Sequence, residues 1–334
     1  MKKVAILGLK RIGDAVYTLP VIEATHSQMD AKIDVITESQ VEGLYLNSPF
    51  VNVVYSYSKS EFWNNALKQL KLGDYDICVV FHNALKYALL PFLAGIPVRI
   101  GYKKELRSFL LTEKLALPEK VVHRVEHNAR LGDLLKVESR GILPRIYFSE
   151  EETFSEKPLL TSMNLQKDKF VVFIVGSIAE TRRWFPVNFA EVAVALIREY
   201  DMDVCILGGP EDFSIGEEVL REFKGDVSRI HNFAGKTSLR ETMRLMNGSK
   251  LVVTNDTGPL HVASAIGVPV VTWFGAANEK EIAPPSPLTT ILNAHVHCSP
   301  CVKEVCPLQT LECLHKITPV MVMSACKEIV LDKN

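Results

Sequence analysis

The 334-residue chain lacks any apolar run approaching the roughly 20 residues needed to cross a bilayer. It also lacks a charge excess: 38 Lys and Arg stand against 39 Asp and Glu, for a net charge of −1. A dedicated nucleic-acid binder carries a clear basic surplus, so no nucleic-acid partner is expected. Disorder, collagen-like repeats and coiled coil are excluded by a composition of 47% hydrophobic and 23% charged residues, ordinary for a folded globular chain. The seven cysteines are an odd number in a long chain, which argues against a secreted disulfide scaffold. The opening Met1-Lys2-Lys3 is followed by only a short apolar stretch, which ends at Lys10-Arg11 with no small-residue cleavage site. These absences lead to the expectation of a cytoplasmic protein.

The length suggests two domains. Short β-branched or apolar runs alternate with helical stretches throughout. Strands are expected at Lys3–Leu7, Ile33–Thr37, Val51–Tyr55, Ile77–Phe81 and Val98–Gly101, with helices near 14–28, 60–71, 84–93 and 123–137. The scheme repeats with strands at Phe170–Val175, Val204–Leu207, Leu251–Thr254, Val268–Phe274 and Thr289–Leu292. Its helices fit Pro186–Tyr200, Phe213–Phe223, Leu239–Asn247, Pro259–Ile266 and about 319–331. Near-continuous apolar strands separated by helices imply parallel strands buried on both faces. The expected fold is α/β: two tandem Rossmann-like, doubly wound domains with a cleft between them. The acidic segment 149–158 reads as the linker, which divides the chain into domains 1–155 and 156–334, the last helix packing back on the first. Residues 1–150 hold 20 basic and 16 acidic residues, so the first half can face something anionic. Ligands of such sheets sit outside the carboxyl ends of the strands.

Several segments lie at those ends. Gly8 and Gly13 follow the first strand, but their spacing is not the G-x-G-x-x-G fingerprint of a dinucleotide site, and no Gly-Lys-Ser/Thr follows. The turn places Asp14 at a helix start, either as N-cap or as general base. After Val175 come Gly176, Ser177 and the pair Arg182-Arg183, which can grip phosphate or form only a solvated basic turn. Asn255-Asp256-Thr257-Gly258-Pro259 ends a strand and opens a helix, an anion site through its N–H groups. Asp256 would repel phosphate there and is read as a turn cap, and His261 as structural. Gly235-Lys236-Thr237 resembles a Walker A ending without the required earlier glycine; Ser238 with Glu241 reads as a capping box. Cys298, Cys301, Cys306 and Cys313 could bind zinc or an iron–sulfur cluster, or remain reduced, or pair locally; no metal is assigned. Arg99, Lys103, Lys104, Arg107, Lys120, His123, Arg124, His127 and Arg130 form a basic stretch. It is either a solvated face or a surface for an anionic acceptor or membrane.

Taken together, Gly13-Asp14 with Pro20, Arg182-Arg183-Trp184-Phe185-Pro186, Leu207-Gly208-Gly209-Pro210, Gly235-Lys236-Thr237-Ser238-Leu239 and Asp256-Thr257-Gly258-Pro259-Leu260-His261 resemble glycosyltransferase family 9, the lipopolysaccharide heptosyltransferases. The resemblance implies a GT-B fold and inverting transfer without an essential metal or other cofactor. It implies an ADP-heptose donor on the second domain and a lipid-linked saccharide acceptor on the first, at the inner face of the inner membrane. Asp14 matches the family's catalytic aspartate, and Arg182 stands where Lys is common. Donor contacts are then expected from Gly13, Ser177, Arg183, Gly209, Glu241, Asp256, Thr257, Gly258, Pro259 and His261. Acceptor contacts are expected from Lys10, Arg11, Lys103, Lys104, Arg107 and His123. A nucleotide-sugar epimerase and a non-catalytic carbohydrate-binding homologue are the alternatives; a nicotinamide-dependent dehydrogenase lacks its glycine fingerprint.

Overall fold

A computed structural model describes residues 1–154 and 156–331. The chain divides into two units, the first ending at Phe148 and the second beginning at Ser149. The first holds strands β1 (Lys2–Leu7), β2 (Ala31–Glu38), β3 (Val53–Tyr57), β4 (Ile77–Val80), β5 (Val98–Lys103) and β6 (Glu113–Ala116). They form one parallel sheet in the order β3-β2-β1-β4-β5-β6. The second holds β7 (Phe170–Ile174), β8 (Asp203–Leu207), β9 (Ile230–Asn232), β10 (Leu251–Thr254), β11 (Val270–Phe274) and β12 (Thr289–Asn293). Their order, β12-β11-β10-β7-β8-β9, is the same topology. Both are doubly wound α/β sheets whose order reverses at one point, between β1 and β4 in the first and between β7 and β10 in the second.

The central strands are apolar on both faces because helices cover both. Val4 lies opposite Ile33 and Ile77, and Val253 opposite Phe173 and Val271, all but Ile77 without exposed surface. The edge strands β6 and β9 were not foreseen. They are short, and their pairing is dictated by the neighbours β5 and β8 rather than by their own pattern.

Three expectations are corrected. The helix foreseen over 14–28 is two helices, Ile12–Val16 and Leu19–Met29. They part at Thr18, whose hydroxyl donates to the Ala15 carbonyl at 2.7 Å, with Pro20 opening the second. The acidic linker is helical, over Glu150–Phe154 and Glu156–Ser162. Ser149 and Glu152 cap the first reciprocally, Glu152 also grips Arg240, and the buried Glu156 meets Lys167 at 3.1 Å. The last helix, Pro319–Leu331, buries Val322, Ala325 and Cys326 in the second unit's core against the helix Pro186–Tyr200 and β10 to β12, where its sequence had suggested the first domain.

Candidate active site

In the second unit, the chain leaves β7 at Val175 and β10 at Asn255, the two sides of the reversal point. Asn255 has no exposed surface and bridges them. Its amide donates to the Val175 carbonyl at 2.7 Å, and its carbonyl accepts the Trp184 N–H at 2.9 Å. The Trp184 indole N–H donates to the Ile317 carbonyl at 3.0 Å, which roots the 176–184 loop in the core. This loop therefore carries its arginines from a rigid base.

Arg182 ends a short 3₁₀ turn, Glu180–Arg182, and Arg183 is its C-cap. Arg183 donates to the Ser177 carbonyl at 2.7 Å. Arg182 Nη1 lies 3.2 Å from Asp256 Oδ2. Asp256 is 3% exposed, and burial pushes its carboxyl up to about 6 although Arg182 pulls it down. Asp256 thus does not cap the turn: it faces a guanidinium. Nε of Arg182 and of Arg183 are buried donors with no hydrogen-bond partner among the described residues. Two unspent guanidinium donors at a strand edge are suited to an anionic ligand.

The neighbouring loops complete the edge. Thr257 precedes the helix Gly258–Ile266 without a side-chain cap, Pro259 sits in its first turn, and His261 is buried within it. The uncapped first turn presents backbone N–H groups and the positive end of the helix dipole. Asp212 accepts the Gly209 N–H at 3.0 Å and fills the gap between the loops after β7 and β8. A Cβ on Gly176 would lie 1.8 Å from Asp212 Oδ1, and one on Gly208 2.6 Å from Oδ2, so a side chain at either position would displace Asp212. Burial raises the Asp212 carboxyl. Gly235, at φ +72°, packs against Pro210, where a Cβ would meet the Pro210 Cα at 2.8 Å, so this position favours glycine. Glu241 and Ser238 form the expected capping box, with the Ser238 N–H donating to Glu241 at 2.8 Å and lowering its carboxyl.

The first unit builds its edge differently. His82, after β4, donates from Nε2 to the Gly8 carbonyl at 2.9 Å across the reversal point and stacks on Tyr87 at 3.6 Å. Burial pushes its imidazole down to about 4, with Lys10, Lys86 and Arg107 adding to the effect, so the ring is neutral at ordinary pH. Behind it lies Arg107, which has no exposed surface and donates to the His82 carbonyl. Arg107 is therefore a core cation, not part of a solvated basic face. Gly8 packs on Thr37, whose Oγ1 a Cβ would approach to 2.8 Å. Gln40 donates to the Lys10 carbonyl at 2.7 Å, which fixes the loop leading into the helix Ile12–Val16. Arg11 is its N-cap and Asp14 its third residue, so Asp14 is not the cap. Asp14 and Gly13 are half-buried; Lys10, Arg11, Lys103 and Lys104 are exposed. His123 caps the helix Arg124–Leu135 by accepting the Val125 N–H at 3.2 Å, and its ring meets Tyr17 edge-on at 5.6 Å. His123 thus stands before the helix, and His127 within it stacks on Tyr102 at 4.3 Å.

All four clustered cysteines are free thiols lining a small pocket with Thr181, Gly275 and Ala276. Among the described residues, no group of three or more His, Cys, Asp or Glu is placed to hold a metal ion. The loop is a clamp. Val302 N–H donates to the Ala276 carbonyl at 2.7 Å, Ser299 donates to Gly275, and Thr181 donates to the carbonyls of Lys303 and Glu304.

The sequence marks Asn255 only as part of the turn, not as a bridge, and does not single out Asp212, His82 or Thr181. The only signals were an Asn beside the strand end at Asn255 and the Gly-Gly-Pro-x-Asp run before Phe213; nothing local marks His82 or Thr181.

A family model described as "Glycosyltransferase family 9 (heptosyltransferase)" matches residues 63–312. The chain belongs to glycosyltransferase family 9. Lipopolysaccharide heptosyltransferase 2 of Salmonella typhimurium is 26% identical over 298 residues, 85% of each chain. The structure of E. coli ADP-heptose lps heptosyltransferase II superposes with a TM-score of 0.85 over 99% of both chains at 25% identity. The family 9 glycosyltransferase of Veillonella parvula gives 0.86 over 99% of this chain and 97% of its own at 21% identity. The two parallel sheets are the Rossmann-like domains of a GT-B fold, and this member of family 9 is a glycosyltransferase.

Proposed function

We propose that this glycosyltransferase moves a heptose from an ADP-activated donor to a lipopolysaccharide core acceptor, with inversion at the anomeric carbon. The observation that carries the donor half is the pair of buried guanidinium donors at Arg182 and Arg183 beside the uncapped helix at Gly258. A nucleoside diphosphate is the anion such an edge suits, and the similar E. coli protein is named for ADP-heptose. Gly209 and the Thr257–Gly258 backbone line the diphosphate, and Ser177 shapes the turn beneath it. Pro259 and His261 hold the helix that presents the N–H groups. Asp256 orients Arg182.

The chemistry follows from charge flow. The Asp14 carboxylate accepts the acceptor hydroxyl proton as that oxygen bonds to the anomeric carbon. The bond from that carbon to the β-phosphate oxygen breaks on the opposite face, and its electron pair leaves with the diphosphate. Arg182 and the helix N–H groups neutralise the charge that grows there. One carboxylate suffices, because no covalent sugar–enzyme intermediate forms. The acceptor is lipid-linked at the inner face of the inner membrane, with Lys10, Arg11, Lys103 and Lys104 supplying cations for its anionic groups.

Thermal shift against ADP, UDP and GDP tests the donor: stabilisation by mass action should select ADP. Incubation with ADP-heptose and a lipopolysaccharide core acceptor should release ADP and yield a product whose anomeric configuration, read by NMR, is opposite to the donor's. Retained configuration refutes inversion. A changed sugar formed from donor alone refutes transfer in favour of epimerisation.

A further inference from the structure

We infer that the first unit docks on an anionic phospholipid surface through a face made by the helix Leu85–Leu93 and the 3₁₀ turn Glu105–Leu110. This rests on the lipid-linked acceptor proposed above and names the surface that meets its membrane. The helix exposes Leu85, Phe92 and Leu93, which fall on one stripe at i, i+7 and i+8. The turn exposes Leu106 by 78% and Phe109 by 71%, and residues three apart eclipse in a 3₁₀ helix. The two elements pack together: Ala88 and Leu89 from the helix cluster with Leu110 and Leu111. Arg99 ties them further, donating to the Leu110 carbonyl at 2.7 Å while lying 5.5 Å from the Phe92 ring centroid. Apolar residues exposed singly are ordinary, but five on two packed elements form a patch.

Charge decides the occupant. Residues 85–114 hold six cations against Glu105 and Glu113. Of these, Arg107 is buried and Arg99 turns to the backbone, whereas Lys86 on the helix and Lys103 and Lys104 just before the turn are exposed. Aromatic and aliphatic groups with ammonium groups close by in the chain suit acyl chains beneath anionic headgroups, with the lysine stems spanning the boundary.

Sedimentation of the full-length protein with vesicles tests this. Vesicles of phosphatidylcholine mixed with phosphatidylglycerol should carry it down, and vesicles of phosphatidylcholine alone should not. Raising the salt should release it. Lys86→Gln should lower partitioning about fivefold. Leu106→Ser with Phe109→Ser should lower it tenfold or more while leaving the melting temperature and transfer to a water-soluble saccharide acceptor unchanged. The inference is overturned if the unaltered protein ignores both vesicles, or if the double variant sediments as well as the parent. Loss of transfer in the unaltered protein instead strikes at the acceptor reading and leaves the vesicle result standing.

Discussion

In the first sheet a histidine spans the gap between the outgoing ends of β1 and β4; in the second an asparagine spans the gap between β7 and β10. The topology is the same, yet the groups packed against the two edges differ. Arg107 is buried against the His82 carbonyl at the first edge, where Asp14 is half-buried; Asp256 is buried at the second, where it faces the half-buried Arg182. Strand order determines where the loops of such an edge emerge, and the side chains packed against it set the environment of the charges they carry.

That comparison is broken most directly at Asp14. Asp14→Asn should cut turnover by roughly 10³-fold or more while leaving ADP affinity within about twofold, measured by steady-state transfer and by calorimetry with ADP. Near-full turnover would remove Asp14 as the base. Arg182→Ala should cost about 10²–10³-fold in turnover and weaken ADP binding as well, because the same guanidinium meets ground state and leaving group; Arg182→Lys should restore part of both. An affinity effect confined to Asp14 and absent from Arg182 would reverse the assignment of the two units.

Asn255→Ala should lower stability by roughly 4 kcal/mol in urea unfolding, since it strands the buried Trp184 N–H and Val175 carbonyl together. If it costs less than about 1 kcal/mol, Asn255 does not root the arginine loop.

Acid sharpens the contrast further. His82 has its folded pKa depressed to about 4, so the unfolded chain takes up the proton first. Its stabilisation is present above about pH 6.5 and is lost as pH falls toward 4, on the order of 3 kcal/mol. Asp256 is raised to about 6, so the folded chain takes up that proton first, and acidification through the same range favours the second unit. Hydrogen exchange resolved between the two sheets, corrected for intrinsic rates, should show the first losing protection before the second near pH 5. His82→Gln should flatten the loss. The smallest effect on stability is expected at Glu241→Ala: about 1 kcal/mol from the lost capping box. A marked fall in ADP affinity would make Glu241 a nucleotide contact.

Much of this was legible in the chain. The central strands announce themselves because burial on both faces demands unbroken apolar runs, as in Val4 to Leu7 and Leu251 to Val253. The Ser238–Glu241 cap is a local hydrogen-bond motif, readable from spacing of three. The Ser149–Glu152 cap had the same signature, masked by the acidic residues around it. Arg107 shows the opposite case: a basic residue in a basic stretch reads as solvated, and only the packing of the turn Glu105–Leu110 against the helix Leu85–Leu93 and β5 shows it enclosed.

By itself, then, the order of residues determined two parallel α/β sheets, the loops that leave their strands and the charged groups those loops carry, because apolar periodicity and turn chemistry are local. Only the tertiary structure decided which charges are buried, that Asp256 faces Arg182, that Asn255 and His82 bridge the reversal points, and that Asp14 lies inside a helix rather than capping it. Those facts depend on contacts between segments distant in the chain, where burial, not spacing, sets the energy of a charge.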